Sequence, residues 1–368
     1  MDVGKTEKDI KKIEEIFNTF ELKGSKFPIL ESLSEFEHQT SEQMAVPHLS
    51  VIIKWYKCLF LQKASYFPRA EQLLDEALEF LENRHEPIFQ RWKLKTYLSL
   101  GYVHQAQWNY SDAESYLKDA LELALSETSL SKFLGEIYSL LSMVNLSLGR
   151  YNQARKYVAL EKEKSHETFT ENPSDDSFSN IYAFALVNYS RINRLIHLVD
   201  QDVKDYLVEA VRIFNRFGNE KGLLLARLEQ AEYDYFTNRV DSALDASLNL
   251  SDIFEKREMY KEQLQVGLLS AKIYRKILDY EQAENKLNIL FALAKKIEFK
   301  NDALIADAIY EMGEIYYEID EETKAIACFR ESAKAGMVLG IKNIIARAFK
   351  AVRSIDRHKA KELLGTDL

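Results

Sequence analysis

The stretch from Leu100 to Ala124 reads LGYVHQAQWNYSDAESYLKDALELA and carries the clearest structural pattern of the chain. A small residue, Gly101, lies in a first segment of helical pattern, and Ala113 follows twelve residues later in a second. Leu117 and Ala120 come four and seven residues after Ala113, which is the spacing of one helix face. Small residues at facing positions let two antiparallel helices approach closely, while larger neighbours fill the groove between them. The stretch therefore predicts one helical hairpin.

The same frame, a small residue followed twelve residues later by a partner, recurs along the chain. The first-helix positions are Cys58, Gly101, Ser142, Arg191, Ala231, Ala271 and Gly313. The second-helix partners, which we call anchors and which lie 40 to 49 residues apart, are Ala70, Ala113, Ala154, Val203, Ala243, Ala283 and Ala325. A hairpin of this size cannot bury its apolar face alone, so we expect seven units stabilised by stacking on one another.

Composition supports an all-α fold. The chain has 368 residues, of which only 12 are glycine and 5 proline. Tight turns, β-hairpins and phosphate-binding loops need both residue types, so the chain has too few of them for an extensive β structure or a nucleotide-binding fold. Hydrophobic residues make up 46% of the chain, enough for a large buried core.

This pattern resembles the tetratricopeptide repeat (TPR) family over residues 50 to 340, most strongly around Gly101, Ala154, Ala283 and Gly313. The resemblance implies an all-α, right-handed superhelical solenoid of about seven hairpins with helical caps. The period is nearer 40 than the family's ~34, and the closing proline is absent. Both departures imply longer helices, as in the peptide-sensing bacterial regulators of the Rap and PlcR group.

We expect three regions: an N-terminal helical cap over 1–49, the repeat solenoid over 50–340, and a C-terminal capping helix over 341–368. The longest anchor interval, 49 residues, contains the sequence NPSDD at 172–176. This cluster of turn-forming residues predicts an exposed loop at 164–180. We interpret it as a loop inside one solenoid, and a hinge between two halves is the alternative.

No motif for catalysis or cofactor binding is present. The sequence lacks GxxxxGK[ST], GxGxxG, HExxH, CxxC and GxSxG patterns. Its seven histidines include no pair at helical ligand spacing. We therefore expect no enzyme activity, no cofactor and no metal site. An enzyme or enzyme subunit whose catalytic residues come from distant positions stays an alternative.

The net charge and the cysteine content limit the classes of partner and the cellular compartment that are expected for this chain. The net charge is −9, which argues against direct binding of nucleic acid. The first twenty residues carry charges throughout, and no apolar run is long enough to span a membrane, so neither a secretory signal nor membrane insertion is expected. Only two cysteines occur, on distant repeats, which favours a reducing compartment. We expect a cytoplasmic protein.

The resemblance implies that partners bind the concave face, which the first helices of the hairpins form. Counting by the helical period from the small residue of each first helix assigns side chains to this face. They include amides, aromatic rings, and groups of both positive and negative charge. Such a mixture suits an extended peptide, although an ordinary solvated face is the alternative. The predicted inward residues are Lys95, Tyr102, Gln105, Glu136, Met143, Asn188, Glu232, Tyr235, Gln265, Lys272, Arg275, Asp307, Tyr310, Glu314 and Tyr317.

Two charge blocks lie near the C-terminal end. Residues 307–322 hold seven acidic and no basic residues, and residues 342–361 hold seven basic residues and one acidic residue. The blocks either complement each other or present a basic end to an acidic partner or a second copy of the chain.

The sequence thus predicts a non-enzymatic scaffold that binds a peptide or protein segment. A bacterial regulator controlled by a peptide pheromone, of the Rap/PlcR type, is the alternative, and a homodimer through the terminal repeats stays open.

Overall fold

The structure, a computed structural model, describes residues 47–63, 66–196, 201–297 and 303–356. Within these ranges it contains fifteen α-helices, one 3₁₀ turn (Thr128–Phe133) and no strand. The helices are α1 (Pro47–Lys63), α2 (Phe67–Leu81), α3 (Pro87–Ala106), α4 (Tyr110–Ser126), α5 (Leu134–Ser147), α6 (Tyr151–Glu171), α7 (Asp176–Leu195), α8 (Gln201–Arg216), α9 (Glu220–Phe236), α10 (Val240–Lys256), α11 (Tyr260–Lys276), α12 (Tyr280–Lys296), α13 (Ala303–Glu318), α14 (Glu322–Leu339) and α15 (Lys342–Ile355). None of these helices is long and apolar enough to cross a membrane.

The chain divides into two compact units, one ending at Val144 and the other beginning at Asn145. In the first unit α1, α2, α3 and α4 pack in sequence, and α1 also contacts α3. In the second unit each helix from α6 to α15 contacts the next. The odd-numbered helices α7, α9, α11, α13 and α15 also contact one another in turn, whereas the described even-numbered helices make no comparable contacts with each other. The first helices of the second unit therefore form a continuous layer.

All seven anchors lie in even-numbered helices, and six of them are the fourth residue of their helix. Each of those six donates its backbone N–H to the residue that precedes the helix, as Ala113 does to the carbonyl of Asn109 at 3.0 Å. All seven are buried, with at most 1% of their surface exposed. The predicted all-α fold of TPR-like hairpins is confirmed, because each anchor is buried in the first turn of the second helix of a hairpin.

Glycine permits that close approach in two hairpins. A Cβ atom on Gly101 would lie 2.7 Å from the side chain of Leu117 in the paired helix. A Cβ atom on Gly313 would lie 2.7 Å from the ring of Phe329. Carbon atoms in contact normally lie about 3.5–4.0 Å apart, so neither position has room for a side chain.

Five first helices end in the same left-handed turn. The residue five positions before the anchor has a positive φ of 61° to 71° in α3, α5, α9, α11 and α13. In each turn the next N–H donates to a carbonyl five residues back, as Asp279 does to Tyr274 at 2.9 Å. This is the 6→1 bond of a Schellman motif, which usually places glycine at the left-handed position. Here only Gly149 is a glycine, and Leu278 is among the other four.

The predicted loop at 164–180 is wrong in extent, because only 172–175 lie outside helices. The extra residues of the long interval lengthen α6 to 21 residues and α7 to 20. Phe169 of α6 stacks on Tyr182 of α7 with ring centroids 5.0 Å apart, so the added turns are packed. Asp175 caps α7 by accepting two backbone N–H bonds of its first turn.

The predicted caps are described only in part. Residues 1–46 of the N-terminal cap and residues 357–368 of the C-terminal helix lie outside the described residues. Helix α15 covers the end of the second unit, where its Ala348 and Val352 are fully buried beside Phe329 of α14. This contact continues the apolar core to the last described helix.

Candidate functional site

The fifteen residues predicted to face a ligand all lie on first helices, namely α3, α5, α7, α9, α11 and α13. Four of them (Tyr102, Glu136, Met143 and Tyr317) are exposed, and the other eleven are half-buried. Five lie in the first unit and ten in the second. Each unit therefore presents its own part of the predicted set to solvent.

In the first unit Lys95 is held between two tryptophans. Its ammonium nitrogen lies 4.3 Å from the ring centroid of Trp55 and 4.4 Å from that of Trp92. The indole N–H of Trp55 donates to Ser99 Oγ at 3.0 Å, which fixes the ring. Cation–π contacts of this kind orient a cation, so Lys95 is positioned rather than freely mobile. Two helical turns further on, 45% of Tyr102 is exposed.

In the second unit a buried carboxylate joins α7 to α9. Arg194 donates to Glu229 through Nε at 2.6 Å and Nη2 at 3.1 Å, the bidentate geometry of a strong ion pair. Arg191 Nε also donates to Glu229, at 3.4 Å, and Arg194 Nη1 lies 3.4 Å from Glu232. Burial alone would lower the pKa of Arg194, but Glu229 and Glu232 raise it above its usual value. The guanidinium therefore stays charged although only 12% of its side chain is exposed.

Helices α9 and α11 meet through Tyr235 and Lys276. The Lys276 ammonium lies 4.8 Å from the Tyr235 ring centroid and donates to the Tyr235 carbonyl at 3.2 Å. Burial, with a contribution from the charge of Glu311, raises the pKa of Tyr235 to about 12. Its hydroxyl is therefore neutral at physiological pH and can both donate and accept a hydrogen bond.

A second buried carboxylate joins α11 to α13. Arg275 donates from Nε to Glu311 and from Nη1 to Glu318, both at 2.5 Å, and its Nη1 lies 3.9 Å from Glu314. Only 5% of the Glu311 side chain is exposed. One guanidinium thus faces three carboxylates, which leaves a local excess of negative charge on α13.

Helix α13, the first helix of the last hairpin, contacts α15. Arg347 donates to Asp307, and its guanidinium carbon lies 4.0 Å above the ring centroid of Tyr310. Burial and a hydrogen bond to Glu314 raise the pKa of Tyr310 above its usual value. The two charge blocks therefore complement each other at this position, which was the first of the two interpretations.

We call the surface that carries these groups, on α7, α9, α11 and α13, the first-helix face. The charge of its helices alternates, with arginines on α7 and α11 and carboxylates on α9 and α13. Charge-assisted hydrogen bonds are about twice as strong as neutral ones, so these pairs hold α7 against α9 and α11 against α13.

The structure brings together several of the predicted residues of the second unit and separates one. Glu232 and Arg275 both lie close enough to Tyr235 for their charges to act on its pKa. Asn188 instead donates to the buried Glu161 at 2.9 Å and supports α6. A change at Asn188 would therefore disturb a buried carboxylate, so this residue is a poor probe of binding.

Sequence reasoning missed the residues that hold the face together. They are Arg191, Arg194, Glu229, Glu311, Glu318 and Arg347. One signal was available: Glu229 and Glu311 both stand fourteen residues before an anchor. The same position is the buried Leu269 in the repeat between them, so an acid there indicates a buried ion pair.

Comparison with known proteins places the fold. Residues 94–125 match the tetratricopeptide repeat family. A Rap protein complexed with competence and sporulation factor superposes with a TM-score of 0.63 at 12% identity, covering 98% of this chain and 99% of that one. NprR in complex with its cognate peptide NprX gives 0.59 at 12% identity, over 99% of this chain and 87% of that one. Aspartyl phosphate phosphatase F from Bacillus subtilis gives 0.59 at 13% identity, over 91% and 94%.

No curated protein sequence matches this chain. The solved structures share its fold at identities too low to carry over a ligand or an activity. The resemblance to TPR proteins, including those of the Rap type, is thus confirmed at the level of fold.

Proposed function

We propose that this chain is a non-catalytic receptor that binds an extended peptide or protein segment on the first-helix face. The observation that carries the proposal is the set of buried arginine–carboxylate pairs that joins α7 to α9 and α11 to α13, together with the contact of Lys276 with Tyr235 that joins α9 to α11. Fixed helices present their accessible side chains in one arrangement, which lowers the entropy lost on binding. Lys272, Glu314 and Tyr317 are such accessible side chains in the second unit.

The chemistry of the face suits a peptide. An extended backbone needs donors and acceptors along its length, and side chains need aromatic and charged contacts. Tyr235 offers a neutral hydroxyl, Lys272 a cation, and α13 an excess of carboxylate around Arg275. Solved proteins of the same fold include a Rap protein with competence and sporulation factor and NprR with its cognate peptide, which supports a peptide as the ligand.

A peptide-controlled regulator of the Rap type is the finer proposal. The likeness covers 99% of the Rap protein complexed with competence and sporulation factor, and 98% of the Rap conjugation gene regulator of plasmid pLS20 in complex with the Phr* peptide. One structure of the same fold is named a phosphatase, so hydrolysis of an aspartyl phosphate by the purified chain would favour the enzyme alternative instead.

The compartment that we propose is the reducing cytoplasm. Cys58 and Cys328 are both free thiols, and Cys58 is fully buried. Free thiols persist where glutathione and thioredoxin keep cysteines reduced. A homodimer through the terminal repeats and the exclusion of nucleic acid stay predictions.

The test begins with capture of peptides from a native lysate on the purified chain, followed by mass spectrometry and titration of the synthetic peptide. We expect the double variant Lys272→Ala, Tyr317→Ala to weaken binding by about 1–3 kcal/mol, because contact area and a charged partner are lost. Lys334→Ala, which removes an exposed lysine of α14 outside the first-helix face, is the control and should change affinity by less than about 0.5 kcal/mol. Equal affinity of both variants, or no retained peptide, would contradict the proposal.

A further inference from the structure

A groove lies at the open end of the α9–α10 hairpin, where α9 begins and α10 ends. Its volume is about 370 Å³. Leu223 and Ile253 contribute to its apolar floor, and Arg227, Lys256 and Arg257 line its rim. At about 100° per residue, Arg227 points roughly 140° around α9 from Glu232 of the first-helix face. The groove, which we call the basic groove, is therefore a separate surface.

One of the three rim cations is already neutralised. Arg257 donates to Glu220 through Nη1 at 2.6 Å and Nη2 at 3.3 Å, which ties the end of α10 to the start of α9. The described lining holds no carboxylate besides Glu220. Arg227 and Lys256 thus place two positive charges above an apolar floor, on a chain whose net charge is −9.

The repeat itself does not require Arg227. The anchors Val203, Ala243 and Ala283 are 40 residues apart, so the lining positions can be compared directly between hairpins. The seven positions that lie 40 residues before the lining residues of the groove include one charged residue, Arg216. The seven positions that lie 40 residues after them also include one, Lys296. Both neighbouring hairpins fold with this one basic residue. Arg257 and Glu220 pair with each other across the hairpin, so Arg227 is the addition that hairpin packing does not explain.

We propose that the basic groove docks a short acidic segment of a protein partner, one apolar side chain flanked by carboxylates. The apolar side chain covers Leu223 and Ile253 and removes their surface from water. The flanking carboxylates form charge-assisted bonds with Arg227 and Lys256. A volume near the lower end of the ~300–1,000 Å³ range of ligand pockets suits a few side chains rather than a whole domain.

The experiment measures fluorescence anisotropy of a labelled peptide, Glu-Asp-Leu-Glu-Glu, titrated with the full chain at low and physiological salt. We expect the double variant Arg227→Glu, Lys256→Glu to weaken binding by about 10-fold or more, because both attractive pairs become repulsive. Lys296→Glu reverses the equivalent charge one repeat further on and should leave binding unchanged. Thermal melts of the three proteins show that each variant is folded.

Four outcomes would overturn the proposal. They are no binding of the peptide, equal binding of its uncharged Gln-Asn-Leu-Gln-Gln counterpart, equal binding by the double variant, and self-association of the chain that the double variant abolishes. The last would make a second copy the occupant. The double variant Lys272→Ala, Tyr317→Ala should bind the acidic peptide as the parent protein does. The proposed docking site and the proposed peptide-binding face are therefore tested independently.

Discussion

Single side-chain atoms decide how closely paired helices approach, and two glycines test this directly. A Cβ on Gly313 would meet the Phe329 ring at 2.7 Å and Cys328 Cβ at 3.2 Å, whereas a Cβ on Gly267 would have Leu290 at 3.7 Å as its nearest neighbour. We expect Gly313→Ala to lower the free energy of unfolding by about 1–3 kcal/mol through overpacking. Gly267→Ala should raise it by about 0.5–1 kcal/mol, because alanine favours the helix. Urea unfolding of both variants measures the difference, and effects of the same sign would contradict the helix pairing.

The left-handed turn after α11 stores backbone strain in Leu278. Its φ is 65°, and 68% of its surface is exposed, so its side chain contributes little packing. We expect Leu278→Gly to stabilise the protein by up to about 1 kcal/mol, because glycine adopts this conformation without steric conflict. Gly149→Ala, at the equivalent position with φ of 71°, should destabilise by a similar amount. A lower melting temperature for Leu278→Gly would show that the turn is not strained.

At the scale of helices, buried ion pairs hold neighbouring first helices together. Only 3% of the Glu229 side chain is exposed, and it accepts from both Arg191 and Arg194. We expect Arg194→Met to destabilise the protein by about 3–5 kcal/mol, because a buried carboxylate loses its bidentate partner. The double variant Arg194→Met, Glu229→Leu should recover most of that loss, since a well-packed apolar pair can replace a buried ion pair.

An exposed pair provides the comparison for this double-mutant cycle. Lys334 and Glu331 form a surface contact of 2.7 Å with more than half of each side chain exposed. Lys334→Ala should change the unfolding free energy by less than about 0.5 kcal/mol. If Arg194→Met were equally mild, the pairs between first helices would not determine how repeats stack.

At the scale of the whole molecule, buried neutral acids should make stability fall in alkali. Burial raises the pKa of Cys58 from 9.0 to about 12, and that of Tyr235 from 10.0 to about 12. Well below pH 9.0 both groups are neutral in the folded and in the unfolded chain. Above that pH the unfolded chain loses protons first, so ionisation favours unfolding until the folded groups also ionise near pH 12.

We expect urea midpoints to fall from about pH 8 to about pH 10.5, with each unit of pKa difference worth about 1.4 kcal/mol at most. Cys58→Ala should lower the midpoint at neutral pH by leaving a small cavity, yet show a weaker decline with pH. Identical midpoints at the two pH values would contradict the burial of these groups.

The amino-acid sequence predicted the number of hairpins, their all-α class and the buried anchor residues. It could do so because helix packing repeats a local rule: a small residue, twelve positions, and another small residue, as in Gly101 and Ala113. The sequence also placed all fifteen predicted contact residues on first helices, because the helical period assigns each side chain to a face. Whether those residues bind a peptide stays a prediction.

Only the tertiary structure decided which charges meet. Arg275 and Glu311 are 36 residues apart, and their contact depends on how one hairpin is rotated and shifted against the next. The same holds for the basic groove, where Arg227 and Lys256 come together across two helices. Helices α6 and α7 extend into the loop expected at 164–180 and leave only 172–175 outside helices, and Phe169 stacks on Tyr182 there, a contact that local turn signals do not encode. The hydrophobic period can be read from one helix alone, whereas the contacts of a charged or aromatic side chain depend on how two helices pack.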